Sequence, residues 1–312
     1  MALFKNRALI LAKVESNYGV DPVPVQATNS ILCDLPEIEF VMKKMDRLNV
    51  KAFLGNRPVI NIGEALKITF STEIRGCGDA TPSIPPEIGV LFVGCGMDED
   101  VVADTSYTYH PQDNIEGPSI TIYFWQHDIK HVLTGCRGTF SLEGKAGEYG
   151  KIKWEFTGLY AGPSDASIPT DAVFNATLPP ALKSATFTLG AYAGVIENFK
   201  LTFGNEVAKR PSVNAATGFL AQFIKERKVT AEIDPEAAAL SAFAPITLLT
   251  AGTEQTMAIT FGSAAGNRVT LSCPKVVLDS VKYAEREGIL TYSLPLLVCP
   301  SVGEDDVTLL FN

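Results

Sequence analysis

Residues 133–160, LTGCRGTFSLEGKAGEYGKIKWEFTGLY, alternate apolar and polar side chains on both sides of a glycine-rich bend. That is the pattern of two antiparallel strands with one buried and one open face. A similar run returns at 267–297, NRVTLSCPKVVLDSVKYAEREGILTYSLPLL. A displacement of 138 residues sets Gly288 on Gly150, Leu290 on Ile152, Tyr292 on Trp154 and Leu294 on Phe156, so the inward residues agree in size and type. Three more echoes precede this one in the same order: RPVIN (57–61) with RPSVN (210–214), FSTEI (70–74) with VTAEI (229–233), and PPEIGVLFVG (85–94) with DPEAAALSAF (234–243). Four ordered pairs predict a tandem duplication, which constrains the fold more than any local propensity does.

The fold class expected is mainly β, a β-sandwich or partial barrel with one short helix in each of two tandem units. Each unit begins with a long loop or hairpin, roughly 41–63 and 197–225. A strand follows, with Leu66, Ile68, Phe70 and Ile74 sharing one face in the first unit and Val229, Ala231 and Ile233 in the second. The two Pro-Glu pairs are expected to open helices ending near Gly94-Cys95-Gly96 and near Ala251-Gly252. Residues 1–40 read as an N-terminal arm with the first strand, 41–160 as the first unit, 161–180 (AGPSDASIPTDAVFNATLPP) as a linker and 181–312 as the second unit. At 312 residues there is room for two cores.

Composition narrows the function. With 46% hydrophobic and 20% charged residues the chain is that of a folded globular protein. Its 35 acidic against 26 basic residues, net −9, disfavour nucleic-acid binding, because phosphate contacts require Lys and Arg. ALILA (8–12) is too short for a signal's apolar region or a membrane span, so the expectation is a chain that stays in the cytoplasm where it is made. The six cysteines form no CxxC pair and read as reduced, partly buried thiols. HDIKH (127–131) has the i, i+4 spacing of a helical metal pair but joins two strand-like runs, which makes a surface turn histidine and a strand histidine the better reading. Glu143, Glu148 and Glu155 have Lys145, Lys151 and Lys153 as neighbours, which describes a polar face more than an acid/base pair. No catalytic, metal or cofactor-binding residue is assigned, and no enzyme activity is expected.

Open antiparallel sheets instead carry unpaired edges, and joining edges between subunits removes them. The two long loops hold Phe53, Leu54, Val59 and Ile60, then Phe199, Phe203, Phe219, Leu220 and Phe223, residues fit either for contact with another chain or for core packing beneath the loop.

RALILAKVESNYGVDPVPVQATNSILC, GNRPVINIGEALKITFSTEIRG, the block from ITIYFWQHDIKHVLTG to GKIKWEFTGLY and GSAAGNRVTLSCPKVVL together resemble the major tail tube proteins of long-tailed, non-contractile bacteriophages, from about residue 7 to about 295. The resemblance implies a β-sandwich-like unit with a flanking helix, six units to a ring, inner strands joined into one barrel, and rings stacked into a tube through loops or hairpins. Two units per chain would then give a trimeric, pseudo-hexameric ring. Phe53, Leu54, Arg57, Pro58, Val59, Ile60, Phe203, Arg210, Pro211 and Phe219 are the ring-stacking candidates, and Glu73, Glu155 and Glu232 the lumen candidates. The partners implied are other copies of the chain, a tape measure protein, a tail terminator and distal tail proteins, with genome DNA passing unbound and no membrane involved. The location implied is the virion tail, assembled in the host cytoplasm. A tail-tip or receptor-binding β module of a virion is the alternative.

Overall fold

The computed structural model describes residues 4–312 except Leu48, Lys51, Phe53, Ser83, Ile115, Ser184, Ala216 and Thr217. The chain is mainly β, as expected. In order, the described elements are β1 (Ala8–Val14), α1 (Gln26–Asn29), β2 (Ser30–Ile31), β3 (Glu37–Met45), β4 (Ile60–Glu73), α2 (Gly89–Gly94), β5 (Met97–Val102), β6 (Ser106–Pro111), β7 (Ile120–Gln126), β8 (Ile129–Lys145) and β9 (Lys151–Asp165). Then come β10 (Thr186–Leu189), β11 (Asn198–Thr202), β12 (Asn205–Pro211), β13 (Phe219–Arg227), β14 (Thr230–Ile233), α3 (Pro245–Ala251), β15 (Gln255–Phe261), β16 (Val269–Leu278), β17 (Lys282–Arg286), β18 (Ile289–Cys299) and β19 (Thr308–Phe311).

Antiparallel neighbours in the first part run β3-β4-β9-β8-β7-β1. In the second part they run β11-β14-β18-β16-β15-β10. Taken in chain order the two sets match strand for strand, and α2 follows β4 as α3 follows β14. Each path also carries a bulge at the corresponding ladder: opposite Leu133 and Cys136 between β7 and β8, and opposite Cys273 and Val276 between β15 and β16. The β5–β6 hairpin has no counterpart in the second path.

Aligning the two bulges sets Cys136 beside Val276, Trp154 beside Leu294 and Phe70 beside Ile233. The sequence echoes set Trp154 beside Tyr292 and Ile74 beside Ile233, so they miss the ladder register by two and by four residues. Both errors are even because side chains alternate with period two, and a slip of two keeps every inward residue inward. Two echoes mark unlike places. RPVIN leads into the returning strand of its hairpin, whereas RPSVN ends the outgoing one. PPEIGVLFVG contains α2, whereas DPEAAALSAF is not helical. The Asp234 carboxylate accepts from the backbone N–H groups of Glu197 and Asn198 (2.9 and 2.8 Å), and Ala237 N donates to Leu290 O (2.9 Å), so this segment is tied along β11 and β18. The second helix opens instead at Pro245 and closes at Gly252, which is left-handed (φ 58) as a helix C-cap of this kind requires.

The expected boundaries shift as well. β1, the strand expected within residues 1–40, pairs with β7 along its length and so is part of the first sheet. β9 continues to Asp165, pairing with Ile129, five residues into the expected linker. The rest of that linker is strapped down: Arg75 donates to Asn175 O (2.9 Å), Asn175 N to Glu87 (3.0 Å), and Gln26 to Asp171 (3.0 Å).

The main buried cluster runs through both parts, and a smaller one, Leu9, Leu11, Tyr123 and Trp125, lies on the opposite face of β1 and β7. At its centre Phe92 of α2 lies 5.0 Å from Trp154, 5.1 Å from Tyr109, 5.3 Å from Phe140 and 6.0 Å from Phe311 of the last strand, ring centre to ring centre. Trp154 buries its indole N–H on the Thr72 hydroxyl (2.8 Å). Gly89 lets the helix sit this close, since a Cβ there would come within 2.1 Å of the Tyr109 hydroxyl. Among the described residues two strand pairings cross between the parts, β11 with the end of β8 and β19 with β6. Replacing Phe92 with Ala should remove about 3–5 kcal/mol of stability. Denaturant unfolding of the unassembled chain checks this, and a single cooperative transition covering both parts is expected.

Candidate assembly surfaces

The sheet that buries Phe70, Trp154 and Leu142 on one side leaves the alternate residues in water on the other. Ladder register aligns these into rows. Glu73 stands opposite Lys151, Lys151 opposite Glu143, Glu143 opposite Lys200 and Lys200 opposite Glu232, a rung of alternating sign across β4, β9, β8, β11 and β14. Lys200 and Glu143 close to 2.7 Å where the two parts of the chain meet. Glu155 lies on the same face, opposite Thr69, and pairs with Lys67 at 2.8 Å. The three lumen candidates therefore share one surface, and two of them share one rung. The surface is interlaced in sign and not acidic, because nearly every carboxylate on it faces an ammonium group. Such exposed pairs contribute about 0.2–1 kcal/mol each, so their effect is on the electrostatic texture of the face more than on stability.

The expected long loops are hairpins. The outer ends of β3 and β4 pair Lys43 with Ile62 and Met45 with Ile60, and β12 with β13 forms a separate two-stranded sheet. Beyond the first pair Leu54 is fully in solvent, Arg57 and Pro58 are exposed, and Val59 and Ile60 are half exposed. Phe53 lies outside the described residues. On the second hairpin Arg210 reaches Glu116 (3.3 Å), Pro211 is exposed and Leu220 is half exposed, while Phe223 is partly covered. Phe199 and Phe203 belong to the core; Phe203 is fully buried and stacks on Phe140 at 4.7 Å. Phe219 is buried on its own hairpin under Lys209 (4.9 Å). Phe203 and Phe219 are thus satisfied within one chain, which is the packing alternative for apolar residues on these loops.

His127 closes the β7–β8 turn with φ 57 and His131 sits on β8, the turn and strand places expected, although His127 is buried under Phe4 (5.9 Å) and not at the surface. His131 Nδ1 lies 2.7 Å from the Tyr160 hydroxyl, and burial pushes its pKa down. Among the described residues no three metal-binding side chains converge. All six cysteines are free thiols; burial pushes Cys33 up to about 12 and Cys136 well above its ordinary value.

Two polar centres escape sequence reasoning because their partners are far apart in the chain. Glu15 is buried and its carboxylate accepts from the Ser119 and Thr121 hydroxyls (both 2.6 Å) and from the N–H groups of Gly19 and Gly135 (both 2.7 Å). It pins the segment after β1 onto β7 and β8. Arg137, also buried, donates to Gln222 O of β13 and to Gly117 O, and its guanidinium lies 5.2 Å from the Tyr18 ring. Arg137 therefore anchors the second hairpin to the body of the protein.

A family model described as phage tail tube protein matches residues 5–296. No curated protein matches the chain.

The buried centre and the exposed rung should respond differently to mutation. Glu15→Ala strands four donors in a dry site and should cost about 2–4 kcal/mol, whereas Glu143→Ala on the rung should cost less than about 1 kcal/mol. Paired chemical-denaturation curves of the two variants measure both.

Proposed function

Because the chain belongs to the phage tail tube protein family, we propose that it is the structural subunit that polymerises with itself into stacked rings, forming the conduit through which genome DNA leaves the virion. The strand path that occurs twice carries this reading. Each path is one wall segment, the two are copies of an ancestral unit, and the in-chain pairing of β8 with β11 is the seam between them. Three chains then supply six segments, a trimeric ring of pseudo-hexameric shape.

Head-to-tail stacking of such rings is a heterologous contact that does not close on itself, so it yields a filament whose length another protein must set. A tape measure protein has that role, with terminator and distal tail proteins at the ends. The projecting hairpins, with Leu54, Val59 and Ile60 exposed on the first and Leu220 on the second, are the stacking elements. The interlaced face with Glu73, Glu155 and Glu232 lines the channel. Alternating charges leave no run of cations to displace counterions from the phosphate backbone, so DNA slides past without being held. The role is structural throughout, performed in the virion tail after assembly in the host.

Purified protein at high concentration should form tubes with a regular ring repeat in negative-stain images, and native mass spectrometry of one released ring should find three chains. Discrete trimers that never polymerise would instead identify a tail-tip module, and a six-chain ring would contradict two wall segments per chain.

A further inference from the structure

The seam inside the chain is occupied, and its counterparts at the two ends of the molecule are not. At the seam, Ser141–Lys145 of β8 pair with Asn198–Thr202 of β11: Lys145 with Asn198, Glu143 with Lys200, Leu142 with Leu201, Ser141 with Thr202. With the two strand paths aligned on their shared bulge, β17 takes the place of Ser141–Lys145, and Leu35–Glu39 at the start of β3 take the place of Asn198–Thr202. β17 pairs with β18 on one side, and among the described residues nothing pairs with it on the other. The same holds for β3, which pairs with β4 alone.

Side chains at the two free edges differ from their seam counterparts in the way an unfilled contact requires. Leu142 and Leu201 are fully buried where they meet, whereas Tyr283, in the place of Leu142, is 61% exposed. Phe203 is fully buried against Phe140, whereas Phe40, in the place of Phe203, is 50% exposed. Large apolar groups stand in water on both edges, at positions that the seam closes. The charges are complementary as well: applying the seam register sets Glu39 opposite Lys282 and Ile38 opposite Tyr283.

We infer that β17 of one chain adds to the outer edge of β3 in a second copy, antiparallel and in this register, so that every junction around the ring repeats the β8–β11 seam. This rests on the tail-tube reading above and specifies its lateral contact. Backbone hydrogen bonds supply the shared geometry, and the Tyr283, Ile38 and Phe40 side chains supply the apolar burial. Pro36 stands where the seam has Phe199 and offers no N–H, which makes the β3 edge a poor template for indiscriminate strand addition.

Cysteine cross-linking of the full chain tests the pairing. The double variant Glu39→Cys with Lys282→Cys, oxidised after assembly, should link covalently between chains, giving a ladder on a non-reducing gel that stops at three. Each single variant, which controls for the native thiols, and the out-of-register variant Glu39→Cys with Glu285→Cys should link at least about tenfold less. Tyr283→Asp should lower the melting temperature of the isolated chain only slightly, since the side chain is 61% exposed and gives up its 5.3 Å ring contact with Tyr292, yet reduce assembly by about tenfold or more. Tubes that form without the 39–282 link, or that form equally well from Tyr283→Asp, overturn the edge pairing while leaving the tail-tube reading intact. A ladder that stops at six upholds the pairing and removes the three-chain count. Failure of the unmodified protein to associate at all removes the tail-tube reading and the pairing with it.

Discussion

Backbone N–H and C=O groups at the edge of an open sheet must find partners, and in this protein that requirement organises everything else. Within the chain it is met where the end of β8 takes up β11 and joins the two strand paths into one continuous surface, and again where β19 takes up β6. The ladder, and not a loop, is what makes the two parts one body, and the linker that covalently connects them is strapped over the outside through Asn175 and Asp171. The open edges of β3 and β17 carry apolar side chains of the kind the internal seam buries.

The sheet's two faces divide the remaining tasks. The inner face delivers Phe70, Phe140, Trp154 and Phe156 to a core that α2 plugs with Phe92 and that the last strand completes with Phe311. Residues from both ends of the chain meet there, so the two strand paths share their main core. The outer face needs no packing, and its composition is free to meet a different demand. A rung that alternates Glu and Lys across five strands is soluble, weakly self-paired and electrostatically bland toward a polyanion. A surface that grips DNA would instead carry a run of Lys and Arg to displace counterions from the phosphates.

Much of this was legible in the sequence, and the failures have physical causes. The alternation around Trp154 and Phe156 identified strands and their inward faces, and Gly94 and Gly252 marked the helix ends. The same alternation could not settle register, because a slip of two residues preserves it; the echo of Trp154 in Tyr292 was wrong by that amount. Proline followed by glutamate at 235–236 looked like a helix start, but the Asp234 side chain is committed to the β11 backbone, a contact no local pattern announces. Glu15 and Arg137 were invisible for a similar reason, since Glu15 binds Ser119, Thr121 and Gly135 and Arg137 binds Gln222, all on distant segments of the chain. Lys neighbours correctly identified Glu143 and Glu155 as part of a polar face, but the rung itself appears only when five strands are laid side by side. Phe203 and Phe219 read as loop residues and are instead buried within the chain.

Backbone amide hydrogen exchange, compared residue by residue between the isolated chain and the assembled tube, addresses the central claim directly. If the unfilled edges are closed by other copies, the amides of residues 35–40 and 281–286 that point away from β4 and β18 exchange rapidly in the isolated chain and gain protection of about a hundredfold or more on assembly, while 141–145 and 198–202 are protected in both states. Equal, rapid exchange at those outward amides in the intact tube would show that neighbouring copies leave these edges open.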